Sequence, residues 1–350
     1  MELIQHCEEV LVNIDAYNKP AEIRLLRQLN RDGLLNDKAF TAAQAVLHPA
    51  SAWFAWASQM LLLLGSTLVL AGIIFFFAYN WAEMSRFLKF ALIEAGIVGC
   101  VLAAYQRGLQ QLSGKILLLS ASVLVGVLLA VYGQVYQTGA DAFGLFLGWA
   151  ALIFAWVMIG EFAALWLLWL VLLNTGAILY WQQVGEPAHS IPYEMLCLAI
   201  AALNGIALAL REIGVRQDRT WLNNGWLRGL LLIACLVPLS IPTIDLILAL
   251  GRNDGMTFVA TCAWAATVAG GYFCYRFTLP DMSALALIVM NACIILLTLI
   301  GNFFFDTMNF DDAGGFLLFA LIILAVVSGA AFFLRRTATA MVRIPKEAAG

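Results

Sequence analysis

The stretch Phe143–Trp181, "FGLFLGWAALIFAWVMIGEFAALWLLWLVLLNTGAILYW", decides the fold of this chain. Its 39 residues carry one charged side chain, Glu161. As a single α-helix the stretch would measure about 58 Å, nearly twice the hydrocarbon thickness of a bilayer. Two membrane-spanning helices with a tight turn at Gly160 and Glu161 fit the bilayer, so the stretch predicts a membrane hairpin.

The composition of the whole chain indicates the same class of protein. Hydrophobic residues make up 63% of the 350 residues and charged residues 12%, and the mean hydropathy is +0.89. A soluble domain would be about half apolar and a quarter charged. The chain is therefore expected to be an integral membrane protein in contact with a lipid bilayer. No basic run with interleaved aromatic residues is present, which argues against nucleic-acid binding.

Apolar runs long enough to cross a bilayer recur from residue 57 onward. We predict an all-α, polytopic membrane protein with about ten transmembrane helices in a domain over residues 57–334. The expected spans are Ala57–Tyr79, Phe87–Tyr105, Ile116–Val135, Phe143–Ile159, Ala163–Trp181, Tyr193–Leu210, Gly229–Leu248, Thr257–Tyr275, Met282–Gly301 and Gly315–Leu334.

Residues 1–56 differ from the rest because they carry charged residues at the density of a soluble protein. The segment "EIRLLRQLNRDGLLNDKAFTAAQAVL" predicts a short helical hairpin, with Gly33 ending the first helix and Asn36 or Asp37 starting the second. We expect the hairpin to pack on the membrane domain or its surface, the alternative being an independent binding module. A basic tail is expected over residues 335–350.

The distribution of lysine and arginine predicts the orientation in the membrane. With ten spans, sixteen of the nineteen basic residues fall on one side, and only Arg86, Lys89 and Arg252 fall on the other. Cytoplasmic segments carry the excess of such residues. Both termini are therefore expected in the cytoplasm.

Two polar clusters are predicted on the opposite, outer face. One joins the first two spans and the other joins the third and fourth; their members are Asn80, Trp81 and Glu83, and Gln134, Gln137, Thr138 and Asp141. If the third helix continued through the second cluster, its polar side chains would form one face directed at protein or water. The alternative is that Gly139 ends the third helix, Asp141 caps the fourth, and the aromatic residues form an interfacial belt.

Two carboxylates are predicted to lie deeper in the membrane. Glu94 is near the middle of the second span, and Asp245 follows Pro238 and Pro242, which predict a kink or a break in the seventh. Each carboxylate fits a proton or cation site, and each fits equally a buried structural group with a polar partner or a residue in a frayed outer end of its helix. The outer loops are predicted to be acidic, with Glu186, Glu194, Asp254, Asp306, Asp311 and Asp312. Depletion of basic residues there is the favoured explanation, and attraction of cations is the alternative.

Sequence signatures of common enzymes and metal sites are missing. The chain has no phosphate-binding glycine loop, no His-Glu-x-x-His and no Gly-x-Ser-x-Gly motif. Its three histidines are far apart in sequence, and its cysteines form no Cys-x-x-Cys pair. We therefore predict a non-enzymatic protein without a metal or cofactor, although an intramembrane site built from scattered residues stays open.

Two motifs resemble a known family. "FFFAYNWAEMSRFLKFALIEAG" (Phe75–Gly96) and "YGQVYQTGADAFGLFLGWA" (Tyr132–Ala150) are similar to the bacterial membrane-protein family called domain of unknown function 2157. The resemblance covers about the first 200 residues. It implies a bacterial inner-membrane location and no established activity. Because such proteins resemble components of small envelope gene sets, it also implies a membrane-protein partner.

Two functions from different classes fit these observations. The first is an inner-membrane protein that moves or senses a small polar molecule or ion through the two outer clusters, with Glu94 behind them. The second is a non-catalytic scaffold or partner subunit in envelope assembly, whose polar clusters pack against another protein.

Overall fold

The computed structural model describes most of the chain after residue 80 and parts of the chain before it. The described residues are 29–30, 34–47, 54, 57–58, 60–61, 64–65, 68, 72, 75, 79, 81–137, 139, 141–248, 255–307 and 313–347. The chain divides into two compact units, Met1–Met84 and Ser85–Gly350, which are described separately.

In the first unit the structure describes one continuous helix, α1, over Asp37–Leu47. The side chain of Asn36 caps it, since its Oδ1 accepts a hydrogen bond of 2.7 Å from the Ala39 N–H. A helix therefore begins where the sequence predicted one to start, at Asn36 or Asp37, and the hairpin itself stays a prediction. The predicted turn at Gly33 and most of the first helix lie outside the described residues, as does most of the predicted span Ala57–Tyr79.

The described part of the second unit contains nine long helices and no strand. They are α2 Arg86–Arg107, α3 Leu112–Tyr136, α4 Ala142–Gly160, α5 Ala163–Tyr180, α6 Tyr193–Arg216, α7 Gly225–Leu248, α8 Gly255–Phe273, α9 Met282–Asn302 and α10 Ala313–Glu347. Single π-helical turns extend α5, α8 and α9, at Trp181–Gly185, Cys274–Thr278 and Phe303–Thr307. A short 3₁₀ turn, Thr220–Leu222, lies between α6 and α7.

The helical, multi-pass architecture is confirmed. Nine helices of the described residues are long and apolar enough to cross a membrane, and they coincide with the second to tenth predicted spans. The count of ten stays a prediction, because the first span falls mostly outside the described residues. The last helix continues without a break from its apolar part to Glu347, so the described part of the basic tail is helical.

The predicted hairpin of α4 and α5 is present. Helix α4 ends at Gly160, α5 begins at Ala163, and Glu161 adopts the left-handed conformation with φ of 41°. The two helices pack along each other around Ile153, Val157 and Leu165. Burial of these aliphatic side chains holds the turn at one end of the helical bundle.

Helix α7 is the most central element of the described bundle. It packs against α6, α8 and α9, and it continues through Pro238 and Pro242 without a break, so of the predicted kink or break only a kink stays a prediction. Contacts on three sides keep the helix intact although each proline removes one backbone N–H donor. This central position brings both ends of α7 next to charged or polar residues of its neighbours.

Candidate functional site

The second predicted outer cluster lies at the turn between α3 and α4. Helix α3 ends at Tyr136, and Gln137 follows in the left-handed conformation with φ of 44°. The helix therefore does not continue through the cluster, and the single polar face over residues 134–141 is not formed. Gln134, Gln137 and Asp141 are exposed, and Asp141 occupies the N-cap position of α4, but its side chain accepts no capping hydrogen bond.

The first outer cluster is described only in part. Asn80, together with Thr138 of the second cluster, lies outside the described residues. Trp81 is half-buried and Glu83 is exposed, and both belong to the unit Met1–Met84. The meeting of the two clusters therefore stays a prediction.

The two deeper carboxylates have different surroundings. Glu94 is exposed on α2, and no hydrogen bond or ion pair engages its side chain within the part of the chain that the structure describes. Asp245, near the end of α7, is also exposed, but its Oδ2 accepts a hydrogen bond of 2.6 Å from the hydroxyl of Tyr193 on α6. The structure thus gives Asp245 a partner on a neighbouring helix.

Glu194 was predicted to lie in an outer loop, and the structure places it in a helix instead. It lies in the first turn of α6, is only 6% exposed, and its Oε1 accepts a hydrogen bond of 3.0 Å from the hydroxyl of Thr257 on α8. Together with Tyr193 and Asp245 it forms a polar group that joins the ends of α6, α7 and α8.

The strongest electrostatic feature of the described residues lies at the other end of these helices. Arg211 on α6 is 1% exposed, and its Nη1 donates a hydrogen bond of 2.7 Å to the Glu212 carboxylate. Its Nε and Nη2 donate to the backbone carbonyls of Leu222 and Asn224, at 3.1 and 3.3 Å. The buried guanidinium is therefore paired and also holds the loop between α6 and α7.

Arg228 on α7 extends this arrangement to α9. Its Nε donates to Glu212 Oε1 at 2.9 Å, and its Nη1 donates to the Asp281 carboxylate, which precedes α9. The Tyr275 hydroxyl donates a further hydrogen bond of 3.2 Å to Glu212. We refer to Arg211, Glu212, Arg228, Tyr275 and Asp281 as the charge network. It joins α6, α7, the end of α8 and the start of α9 with two positive and two negative charges.

Asp281 is held in its charged form. Partial burial opposes ionisation, but hydrogen bonds from the Ser283 hydroxyl and the Ala284 N–H, together with the Arg228 guanidinium, lower the pKa of Asp281 below its usual value. The carboxylate also caps α9 through the Ala284 N–H, at 2.8 Å. The Asp281 side chain thus has two roles, since it caps the N-terminus of α9 and pairs with the charge of Arg228.

Several contacts gather basic residues at the same end of the bundle, which we call the basic end. Lys115 at the start of α3 and Arg219 in the loop after α6 both bind Glu161, the first at its backbone carbonyl and the second at its carboxylate. Arg276, after α8, donates to the backbone carbonyl of Thr337 on α10 at 3.0 Å. These residues are among those from which the orientation was predicted, and the orientation itself stays a prediction.

A groove runs between α6, α7 and α8 and reaches the charge network. Its volume is about 750 Å³, and its walls are mostly aliphatic or small, among them Ala201, Gly205, Leu232, Ala263 and Gly270. The groove exists because small residues recur along α6 and α8 where larger side chains would fill the space between the helices. Polar groups are concentrated at the basic end, where Glu212, Arg216 and Tyr275 line the groove.

The residues of the charge network can be located in the sequence, but their pairing was not predicted. Arg211, Glu212 and Arg228 stand next to the ends of predicted spans, where charged residues are common and usually solvated. Asp281 immediately precedes an apolar run, as an N-cap residue does. Their positions were visible in the sequence, but their pairing was not, because 53 residues separate Arg228 from Asp281.

The described residues contain no group of three or more histidine, cysteine, aspartate or glutamate side chains that could hold a metal ion. In comparisons with curated proteins and with solved structures, no match was found.

A comparison with family models finds the family that the two motifs indicated. Residues 27–166 match the family described as "Predicted membrane protein (DUF2157)". The match includes both motifs and ends shortly after the turn between α4 and α5, so the groove and the charge network lie beyond it. The chain is thus a membrane protein that resembles the DUF2157 family over residues 27–166.

Proposed function

We propose that this membrane protein binds an amphiphilic molecule of the bilayer in the groove between α6, α7 and α8. The observation that carries the proposal is the distribution of polar groups along the groove. The walls are apolar over most of its length, and charged and hydroxyl groups are gathered at the basic end. Binding pockets commonly have about this volume, with apolar walls and a few placed polar groups.

The free charge at the basic end favours an anionic head group. Glu212 is neutralised by Arg211 and Arg228, so it does not repel an anion strongly. Arg216 is exposed in the last turn of α6, and no acidic side chain pairs with its guanidinium among the residues that the structure describes. An anion beside Arg216 would receive charge-assisted hydrogen bonds while its chain lies in the groove.

The proposal can be tested by filling the groove. Gly270 lines it, and a Cβ atom added there meets no heavy atom within 4 Å. Gly270→Leu is expected to lower the affinity for oleate about tenfold or more, measured by native mass spectrometry of the purified protein, because the leucine occupies the space of the chain. Gly99→Leu on α2 is the matched control, since Gly99 also has no heavy atom within 4 Å and lies outside the groove.

A second variant tests the head-group position. Arg216→Gln should weaken oleate binding and leave the binding of oleyl alcohol unchanged, because only the carboxylate needs the positive charge. Equal oleate affinity in the wild type, Gly270→Leu and Arg216→Gln would contradict the proposal.

A second function uses the opposite end of the same helices. Movement or sensing of a small cation is supported by the buried Glu194 and by Asp245, which lie on neighbouring helices with Thr257 and Tyr193 as partners. Buried carboxylates in membrane helices commonly serve such functions. Proteoliposome uptake of sodium or protons that is lost in Glu194→Gln, in Asp245→Asn or in Glu94→Gln would support this function.

The scaffold alternative makes a different prediction. If the exposed residues Gln134, Gln137 and Asp141 contact a membrane-protein partner, their substitution should release that partner and leave oleate binding and ion uptake unchanged. Co-purification before and after the triple substitution to alanine measures this outcome.

A further inference from the structure

Two side-chain contacts join α6 to α8, one towards each end of the groove. At the end opposite the basic end, which we call the far end, the Thr257 hydroxyl of α8 donates a hydrogen bond of 3.0 Å to the Glu194 carboxylate of α6. At the basic end the hydroxyl of Tyr275, just after α8, donates one of 3.2 Å to the Glu212 carboxylate of α6. All four residues are buried. Most of the groove lies between these two contacts.

The two contacts are equally spaced along both helices, which run in the same direction. Glu194 and Glu212 are 18 residues apart on α6, and Thr257 and Tyr275 are 18 residues apart on α8 and its π-helical turn. At a rise of about 1.5 Å per residue, the contacts are about 27 Å from each other. The hydrocarbon core of a bilayer is about 30 Å thick. The space between the contacts is therefore almost as long as the bilayer core is thick.

Between the two contacts, the facing side chains are too small to close the space. Gly205 and Ala209 line it from α6, and Ala266 and Gly270 line it from α8. A Cβ atom added at Gly270 meets no heavy atom within 4 Å. Protein interiors are close-packed only where side chains fill the gaps between helices, so this part of the groove has room for a bound chain.

The far end of the groove is closed. Leu198 on α6, Leu239 on α7 and Ala263 on α8 are the lining residues nearest to that end, and they pack together in one apolar cluster. Beyond this cluster the hydrogen bond between Thr257 and Glu194 connects α6 and α8 directly. A chain that extends from the basic end therefore reaches a stop at Leu198.

The wall between this stop and the basic end has a defined length. Leu198 and Glu212 both line the groove and are 14 residues apart on α6, which corresponds to about 21 Å. An extended carbon chain advances by about 1.2 Å per bond, as the extended protein backbone does. About 17 carbon–carbon bonds therefore span the wall, which is the length of a chain of about 18 carbons.

We propose that the groove selects its ligand by chain length, with Leu198 and the contact between Glu194 and Thr257 as the end stop. The selection rests on the function proposed above, in which an amphiphile binds with its head group at the basic end. Inside a membrane or a micelle a chain gains no hydrophobic free energy by entering an apolar groove, so its affinity depends on van der Waals packing. Each carbon up to the stop adds contacts with the walls, and each carbon beyond it has to bend out of the groove.

The test compares saturated fatty acids that differ only in length. The full-length protein in a maltoside detergent is mixed with equal amounts of laurate, myristate, palmitate, stearate, arachidate and behenate, and native mass spectrometry identifies the bound chains by mass. Each occupancy is divided by the amount of that fatty acid in the micelles, which removes differences in solubility. We expect stearate to be bound about threefold or more better than laurate and behenate, because it makes the most contacts with the walls.

Two substitutions in the wall should move the stop in opposite directions. Ala202 is exposed in the groove 10 residues before Glu212, so Ala202→Phe should shorten the wall to about 15 Å and move the maximum to about myristate. Leu198→Ala removes the end of the wall and should move the maximum to arachidate or behenate. Ala209→Phe is the matched control, because the same ring near the basic end should lower the occupancy of all six chains to a similar extent.

The outcomes separate length selection from the binding function on which it rests. A maximum at stearate that moves to a shorter chain in Ala202→Phe and to a longer chain in Leu198→Ala supports length selection. Binding of all six chains without a maximum, or with the same maximum in Ala202→Phe and the wild type, would overturn length selection and leave amphiphile binding standing. If the wild type binds none of the six chains, both are overturned.

Discussion

Arg228 on α7 donates a hydrogen bond of 2.9 Å to Glu212 on α6, and both side chains are largely buried. This pair connects two helices at the basic end and stands at the centre of the charge network. Charged groups away from water are stable only when they are paired and hydrogen-bonded. The stability of the fold at this end therefore depends on keeping every member of the network.

The first prediction concerns Glu212. Glu212→Gln is expected to lower the free energy of unfolding by about 3–5 kcal/mol, because it leaves Arg211 and Arg228 buried without their shared carboxylate. Unfolding in a detergent series measures the loss. Glu161→Gln is the matched control, since its pair with Arg219 is exposed and should contribute at most about 1 kcal/mol. Similar losses in the two variants would show that the network adds little.

The second prediction concerns acid pH. The pKa of Asp281 is lowered in the folded state, so the unfolded chain takes up a proton at higher pH than the folded protein does. Stability from this group is present above its unfolded pKa of about 3.9 and is lost as the pH falls through the lower folded pKa. The melting temperature of the wild type should therefore fall more steeply between about pH 5 and pH 2 than that of Asp281→Asn. Parallel curves for the two proteins would contradict this prediction.

The third prediction concerns an amide pair inside the bundle. Asn204 on α6 is 2% exposed, and its Nδ2 donates to the Oδ1 of Asn174 on α5 at 2.8 Å, with a reciprocal bond of 3.3 Å. Asn174→Leu and Asn204→Leu should each destabilise the protein, because each leaves the other amide without its partner. The double variant should cost about 0.5–2 kcal/mol less than the sum of the single losses. Additive losses would mean that the two amides do not stabilise each other.

The fourth prediction concerns orientation. Ser190 and Gln217 are exposed at opposite ends of α6, in the loops before and after it. Cysteine at Ser190 should react with an impermeant thiol reagent in intact cells, whereas cysteine at Gln217 should react only after the membrane is disrupted. The wild-type protein supplies the background from its native cysteines. Labelling at Gln217 in intact cells would reverse the predicted orientation.

The helical spans could be predicted from the sequence because membrane insertion depends on local properties. The length and hydropathy of each apolar run decide whether it crosses a bilayer, and the confirmed spans in the described residues follow this pattern closely. The turn at Gly160 and Glu161 was predictable for the same reason. The start of α1 was predictable from its local capping residues, Asn36 or Asp37, and the structure shows Asn36 as the cap. Predicting these features does not require knowing which helices pack against each other.

The candidate sites depended on tertiary structure. The packing of α6, α7 and α9 brings together Glu212, Arg228 and Asp281. The sequence around a carboxylate does not indicate which residue of another helix will pair with it. The same packing buries Glu194 at the start of α6 and gives Asp245 its bond to Tyr193. The sequence had left open whether α3 continues through Asp141 or ends before it. The structure shows that α3 ends at Tyr136, so Gln134 and Asp141 do not lie on one helix.

The length and composition of the apolar runs were thus sufficient to predict a multi-pass helical membrane protein. Only the tertiary structure decided where its cavities and its buried charges lie. The physical reason is that a span is specified by residues close together in the chain, whereas a groove or an ion pair requires a particular rotation of each helix against its neighbours. Small residues such as Gly270 and Ala201 open the groove only because both face the same space between α6 and α8.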